Sequence, residues 1–181
     1  TINGALGEVH VGQEALQLSG RGINGISDSF VSTGALRNIA GDNTWAGSVA
    51  LSGTVVVGVD NNSLLDISGL ISNVSVSNAN LVKLGEGTLE FSGTDTNTYS
   101  GTTSVFEGTL RLNKSNNAAA ITGTLVIGDH IGNDVVELMA DEQISHLDLT
   151  GTINRTLTLR SSGHLDLNNH TDTLGAIVFE R

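Results

Sequence analysis

The chain has 181 residues and a formal net charge of −11, a sign that repels DNA, RNA and anionic lipid and argues against nucleic-acid binding. It has no cysteine, hence no disulfide, and no apolar stretch long enough to cross a membrane as a helix. Hydrophobic residues make up 38% of it but aromatics only 3%, so the core must be aliphatic. With 23 glycines and no proline, the turns fall to Gly, Asn and Asp, which tolerate positive φ.

Short alternating runs flanked by Gly, Asn, Asp or Ser follow one another along the whole length. In chain order they predict strands at Val9–Val11, Leu16–Leu18, Ala35–Ile39, Ser48–Leu51, Thr54–Val59, Ser63–Ile67, Val74–Val76, Leu81–Lys83 and Thr88–Phe91. Further strands are predicted at Thr103–Phe106, Thr109–Leu112, Thr124–Ile127, Val135–Leu138, Ser145–Leu149, Thr156–Leu159, Gly163–Leu167 and Ala176–Phe179. Residues 135–147 contain helix formers and no glycine, but are read as strand and turn. No linker or composition break splits the chain, so residues 1–181 are read as one continuous, elongated all-β domain.

Residues 81–112 carry the strongest pattern. Gly87-Thr88-Leu89 recurs as Gly108-Thr109-Leu110, and side chains alternate faces along a strand. Leu89 and Phe91 therefore share one face and Glu90 and Ser92 the other, and Leu110 and Leu112 repeat this around Arg111. So narrow a face cannot bury itself; it must stack on a copy. The run resembles the autotransporter-associated β-strand repeat of bacterial surface-protein passengers, spaced L-x-K-x-G-x-G-T-L-x-L-x-G-x-N-T-Y-[ST]-G-x-T-x-V-x-x-G-T-L-x-[LV]. The spacing is met by Leu81, Lys83, Gly85, Gly87, Thr88, Leu89, Phe91, Gly93, Asn97, Thr98, Tyr99, Ser100, Gly101, Thr103, Val105, Gly108, Thr109, Leu110 and Leu112, with extra residues in the Thr94–Thr96 turn. Residues 136–144 and 163–169 also resemble such passengers. The resemblance implies a right-handed parallel β-helix (a solenoid), export and surface display, the chain being a mature protein or a fragment of a larger exported one.

A longer unit is also legible. Asp42-Asn43-Thr44-Trp45-Ala46-Gly47 returns as the same phrase in Thr96-Asn97-Thr98-Tyr99-Ser100-Gly101. This alignment predicts that Trp45 and Tyr99 plug the same corner in two coils. Coils of about 22 residues rising about 4.8 Å predict about eight coils and a rod on the order of 40 Å long. Asn stacks near Asn61, Asn97 and Asn116 are expected to satisfy backbone groups at tight corners.

No residue is assigned a catalytic, cofactor-binding or metal-binding role, and no cofactor is implied. His146-Leu147-Asp148 returns closely downstream as His164-Leu165-Asp166. Were that interval one coil, two imidazoles and two carboxylates would stack within metal-ligand reach. A solvent-facing polar ladder is the preferred reading. Asp60 with Asp66, or Asp129 with Asp134, would be the paired carboxylates of a glycosidase or lyase, yet both pairs sit in turn-like sequence where Asp commonly shapes the backbone. The arginines at 21, 37, 111, 155, 160 and 181 are scattered. Residues 20–25 resemble a phosphate-binding glycine pattern without its strand–helix context.

The expectation is an extracellular or bacterial cell-surface scaffold, not an enzyme, acting as a rigid stalk. Its expected partners are itself, by end-to-end or strand-exchange association, and surface glycans or neighbouring cells. The alternative is a carbohydrate-binding or polysaccharide-degrading β-helix protein.

Overall fold

The computed structural model describes residues 1–4, 7–22, 33–75, 78–147, 151–152 and 155–181. Among them the chain is all-β. The strands are β1 (Ile2–Asn3), β2 (His10–Val11), β3 (Leu16–Ser19), β4 (Leu36–Ala40), β5 (Asp42–Trp45), β6 (Val49–Ser52), β7 (Thr54–Val59), β8 (Leu64–Ile67) and β9 (Ile71–Asn73). They continue as β10 (Asn80–Leu84), β11 (Thr88–Phe91), β12 (Thr103–Val105), β13 (Gly108–Leu112), β14 (Leu125–Ile127), β15 (Asp134–Leu138), β16 (Thr156–Leu159), β17 (Gly163–Asp166) and β18 (Ala176–Phe179). The strands lie in three sheets. The first runs β1-β4-β7-β10-β12-β14-β16-β18, the second β17-β15-β13-β11-β8-β5-β2, and the third β3-β6-β9. Neighbours pair in parallel, so the chain winds as a β-solenoid of about six turns.

Alternation and stacking together build the core. In the second sheet Leu65, Leu89, Leu110, Val136 and Leu165 form one column, and Trp45, Ile67, Phe91, Leu112 and Leu138 the next. The residues between them point outward. In the first sheet Val55, Leu81, Thr103, Leu125 and Leu157 stack in register. Each fully buried Leu, Ile or Phe in these ladders contributes about 1.5–3 kcal/mol of transfer free energy. The two Gly-Thr-Leu words of residues 81–112 lie directly on one another, Thr88 on Thr109 and Leu89 on Leu110.

On the third face, hydrogen-bonded turns replace regular strands after β9. Thr98 donates its N–H to the Ile71 carbonyl, Asn97 to Ala119, and Ala120 to Gln143. The corner into the first sheet is tight because glycines stack there. A Cβ on Gly123 would lie 1.8 Å from the Gly101 carbonyl oxygen, a separation only glycine tolerates.

Several expectations need correction. A regular coil length holds from Leu81 to Thr103 to Leu125, but the next coil, which pairs Ile127 with Leu159, is much longer. Such long steps give fewer turns than the eight expected. Strands β1 and β5 have no counterpart among the predicted ones. The first is very short, and the second carries a buried Asn43 where an alternating strand calls for an aliphatic residue. The strand expected at Val74–Val76 is instead β9, immediately before it, with Val76 outside the described residues. At Ser145–Leu149 no strand forms over the described residues; Ile144 makes an isolated bridge to Ile121, and residues 148–149 are not described.

The repeated phrase around Trp45 and Tyr99 does not mark equivalent places. Trp45 ends β5 in the second sheet, below Ile67, whereas Tyr99 sits on the third face, its N–H directed at the Ile71 carbonyl. Turn lengths vary from coil to coil, so equal sequence spacing does not preserve the phase of the winding. Of the three expected asparagine stacks, Asn97 does what its position implies. Its Oδ1 accepts the Ile71 N–H at 2.9 Å and its Nδ2 donates to the Ala120 carbonyl at 2.9 Å. Asn61 and Asn116 are exposed in turns, and Asn116 takes a positive φ of 59°.

Candidate functional site

The corner between the first and second sheets holds the densest polar chemistry. Asn38, Asn43, Ser63, Lys83, Asp134 and Ser162 are all buried near it, most of them held by backbone groups that the bend leaves unpaired. Asn43 donates to the Asn38 Oδ1 at 2.6 Å and to the Ala40 carbonyl at 2.8 Å. Ser63 donates to the Asp60 carbonyl at 2.6 Å.

Lys83 is the unusual member. It occupies an inward position, stacked on Val57 below and Val105 above, and is fully buried. Its ammonium turns back into the corner and donates to the carbonyls of Leu84 (3.2 Å), Gly85 and Glu107 (2.8 Å). Burial pushes its pKa down to about 8, with Glu107 and Asp134 pulling it back up.

Above Lys83 a pocket of about 540 Å³ opens, lined by Glu86, Phe106, Glu107, Asp129, Ile131 and Asp134 among others. Three successive coils contribute to it: the turn before β11, the turn before β13, and the Gly128–Asn133 turn before β15. Glu107 accepts the Gly85 N–H at 2.5 Å, and the Asp129 Oδ1 accepts the Ile131 N–H at 2.9 Å. Asp134 begins β15 facing inward, and both its oxygens are buried without a hydrogen-bond partner. Burial raises its pKa; the Ser162 hydroxyl and the Asp129 amide, beyond formed hydrogen-bond geometry, offset this in part, and Asp129 and Glu107 add repulsion.

The candidate carboxylates therefore part company. Asp129 and Asp134 meet in this pocket, joined by Glu86 and Glu107, which sequence spacing did not bring together. Asp60 is held in a two-bond pair with Arg37, at 2.9 and 2.7 Å. Asp66 lies on the outer face of the second sheet, in a ladder running Thr44, Asp66, Glu90, Arg111, Glu137, Asp166. There it accepts the Ser92 hydroxyl at 2.7 Å, while Arg111 pairs with Glu137 at 2.8 Å.

The two histidine phrases do not stack on one another. His164 faces Val135 and Asp166 faces Glu137, so the coil that ends at His164 starts well before His146. His146 lies just past the Ile144 bridge on the third face, and Asp148 is outside the described residues. Among the described residues no three His, Asp or Glu side chains converge on a point able to hold a metal ion. Residues 23–25 of the glycine-rich stretch are likewise not described. Tyr99 is fully buried with its hydroxyl 2.6 Å from Thr103 Oγ1, and the Trp45 indole donates to the Glu14 carbonyl at 3.0 Å. Tyr99 is enclosed by its own chain, while Trp45 is half-buried and packs its inner side against the core.

The span from β10 to β13 contains two stacked corners, one glycine-lined bend and the buried lysine. Residues 81–112 match the passenger-associated-transport-repeat. Within this repeat the geometry explains the spacing. Lys83 supplies donors to the corner, Gly85 and Gly87 let adjacent coils approach, and Tyr99 closes the third face. Comparisons with curated proteins and with solved structures give no match. The repeat and the parallel solenoid together fit an autotransporter passenger scaffold. No helix among the described residues is long and apolar enough to cross a membrane.

Proposed function

We propose that the chain is an extracellular, surface-associated structural scaffold, a rigid solenoid stalk whose copies stack end to end into filaments, and that it is not an enzyme. The observation that carries this reading is the first sheet, eight parallel strands in one unbroken ladder from β1 to β18, whose edge strand β18 bears the exposed Ile177, Val178 and Phe179. An edge strand offers unpaired backbone groups to another chain, and an apolar one invites it. The opposite edge of the same sheet is β1, so stacking β18 on β1 of a second copy continues the ladder. That contact is heterologous and does not close, which is the geometry of a filament.

Sedimentation of the native chain and of Ile177→Lys/Phe179→Glu across a concentration range tests it. Concentration-dependent assembly lost in the variant supports the reading; monomers at every concentration, or assembly unaffected by the variant, contradict it. A second reading, a carbohydrate-binding or polysaccharide-degrading protein, draws on Asp129 and Asp134 meeting in one pocket. Release of reducing or unsaturated sugar ends from polysaccharides, abolished by Asp129→Asn, would favour it.

A further inference from the structure

We propose that the pocket before β15 binds an alkylammonium group, carried by a free diamine or by a lysine side chain of a partner. The pocket is lined by Glu86, Glu107, Asp129 and Asp134 and no basic residue. The second observation is Asp134 itself, a lining residue that is 0% exposed with both carboxyl oxygens unpartnered. The nearby Ser162 hydroxyl and Asp129 amide form no hydrogen bond to it; a buried carboxyl group so placed is costly, and an ammonium brings three donors. Lys83 does not fill that role, because its ammonium is committed to the Leu84, Gly85 and Glu107 carbonyls.

Size and shape select the kind of cation. At about 540 Å³ the pocket falls in the range of small-molecule sites rather than bare-ion sites. Among the described residues no three carboxylates converge as a metal requires. Phe106 and Ile131, the latter 75% exposed, stand beside the carboxyls. They offer apolar surface to an aliphatic stem whose charged head reaches the acids. A neutral sugar would supply hydroxyl donors but bring no positive charge to offset the repulsion that Asp129 and Glu107 exert on Asp134.

The test is a titration of the full chain at low salt, followed by amide NMR shifts across residues 129–134. The probes are pentane-1,5-diamine, N-acetyl-lysine methylamide, the uncharged 1,5-pentanediol and calcium chloride. The expected result is saturable shifts with the diamine and none with the diol. Asp129→Asn or Glu107→Gln should weaken binding about tenfold, the loss of one charge-assisted bond, with Asp166→Asn on the outer face unchanged. Binding of the lysine derivative as well assigns a protein side chain; binding of the diamine alone assigns a free amine. The proposal is overturned by no saturable shift, by equal response to the diol, by binding of calcium alone, or by variants that keep native circular dichroism and undiminished affinity.

Discussion

Replacing Lys83 by methionine keeps the side chain out to its Cε and removes the ammonium from the corner. Burial holds the folded-state pKa at about 8, against 10.5 for the free side chain. Between those values the unfolded chain binds the proton and the folded chain does not. Stability should therefore rise as pH climbs from 8 toward 10.5, by at most about 3 kcal/mol at about 1.36 kcal/mol per pKa unit. Lys114, also pushed down by burial, contributes with the same sign. Tyr99 is pushed up from 10.0 by its burial, so its opposing effect begins only near the top of that window. Urea unfolding followed by Trp45 fluorescence and circular dichroism, from pH 8 to about 10, reads the slope. Lys83→Met should lose most of it. Near neutral pH the variant should also be less stable by about 1–3 kcal/mol, because three corner carbonyls lose their donor while the cost of burying a charge is relieved. A native chain whose stability is flat or falling over this range, or a variant that keeps the full rise, would mean that Lys83 is not buried as a charged group.

Three further predictions address the third face. Asn97→Leu strips partners from the Ile71 N–H and the Ala120 carbonyl and should cost about 2–5 kcal/mol in urea unfolding. Gly123→Ala forces a methyl group against the Gly101 carbonyl and should cost about 1–3 kcal/mol, seen as a lower unfolding midpoint with no change in the slope m. Asp172, whose Oδ2 accepts the Gln143 and Ile144 N–H groups, is raised by burial from 3.8 to about 6. The folded chain therefore holds this proton more tightly than the unfolded one, so stability present at acid pH is lost as pH rises through about 6. Asp172→Asn keeps an oxygen for the two amides and should flatten its share of that fall, measured by thermal melts across the same pH range.

Much of the fold was legible because its rule is local. Alternation in residues 81–112 implied both the inward Leu89, Phe91, Leu110 and Leu112 and the need for a stacked copy. The same alternation puts Lys83 on the face of Leu81, and burial of that lysine is readable from it. The residue type hides it, because lysine is so rarely buried that identity outweighs pattern. Asn43 failed for the related reason that a polar inward residue breaks an apolar signature while its amide is satisfying the corner.

The pocket was not legible. Glu86, Glu107 and Asp134 meet because particular turn lengths place three coils in phase, and turn length is free to vary without changing the strands. The same freedom misled the alignment of Trp45 with Tyr99 and the pairing of the two histidine phrases, whose spacing is regular in sequence but not around the axis. The acidic ladder from Asp66 to Asp166 follows the same rule: its alternation was visible, its vertical neighbours were not.

As proposed, this solenoid is itself the building block of a filament. Electron microscopy of the purified chain across a concentration range, without ligand, addresses it most directly. The seven steps of about 4.8 Å between the eight strands of the first sheet span about 34 Å. Filaments that lengthen with concentration are expected, with an axial repeat of about 38 Å, one step more than that span. Isolated short rods at every concentration would contradict the proposal.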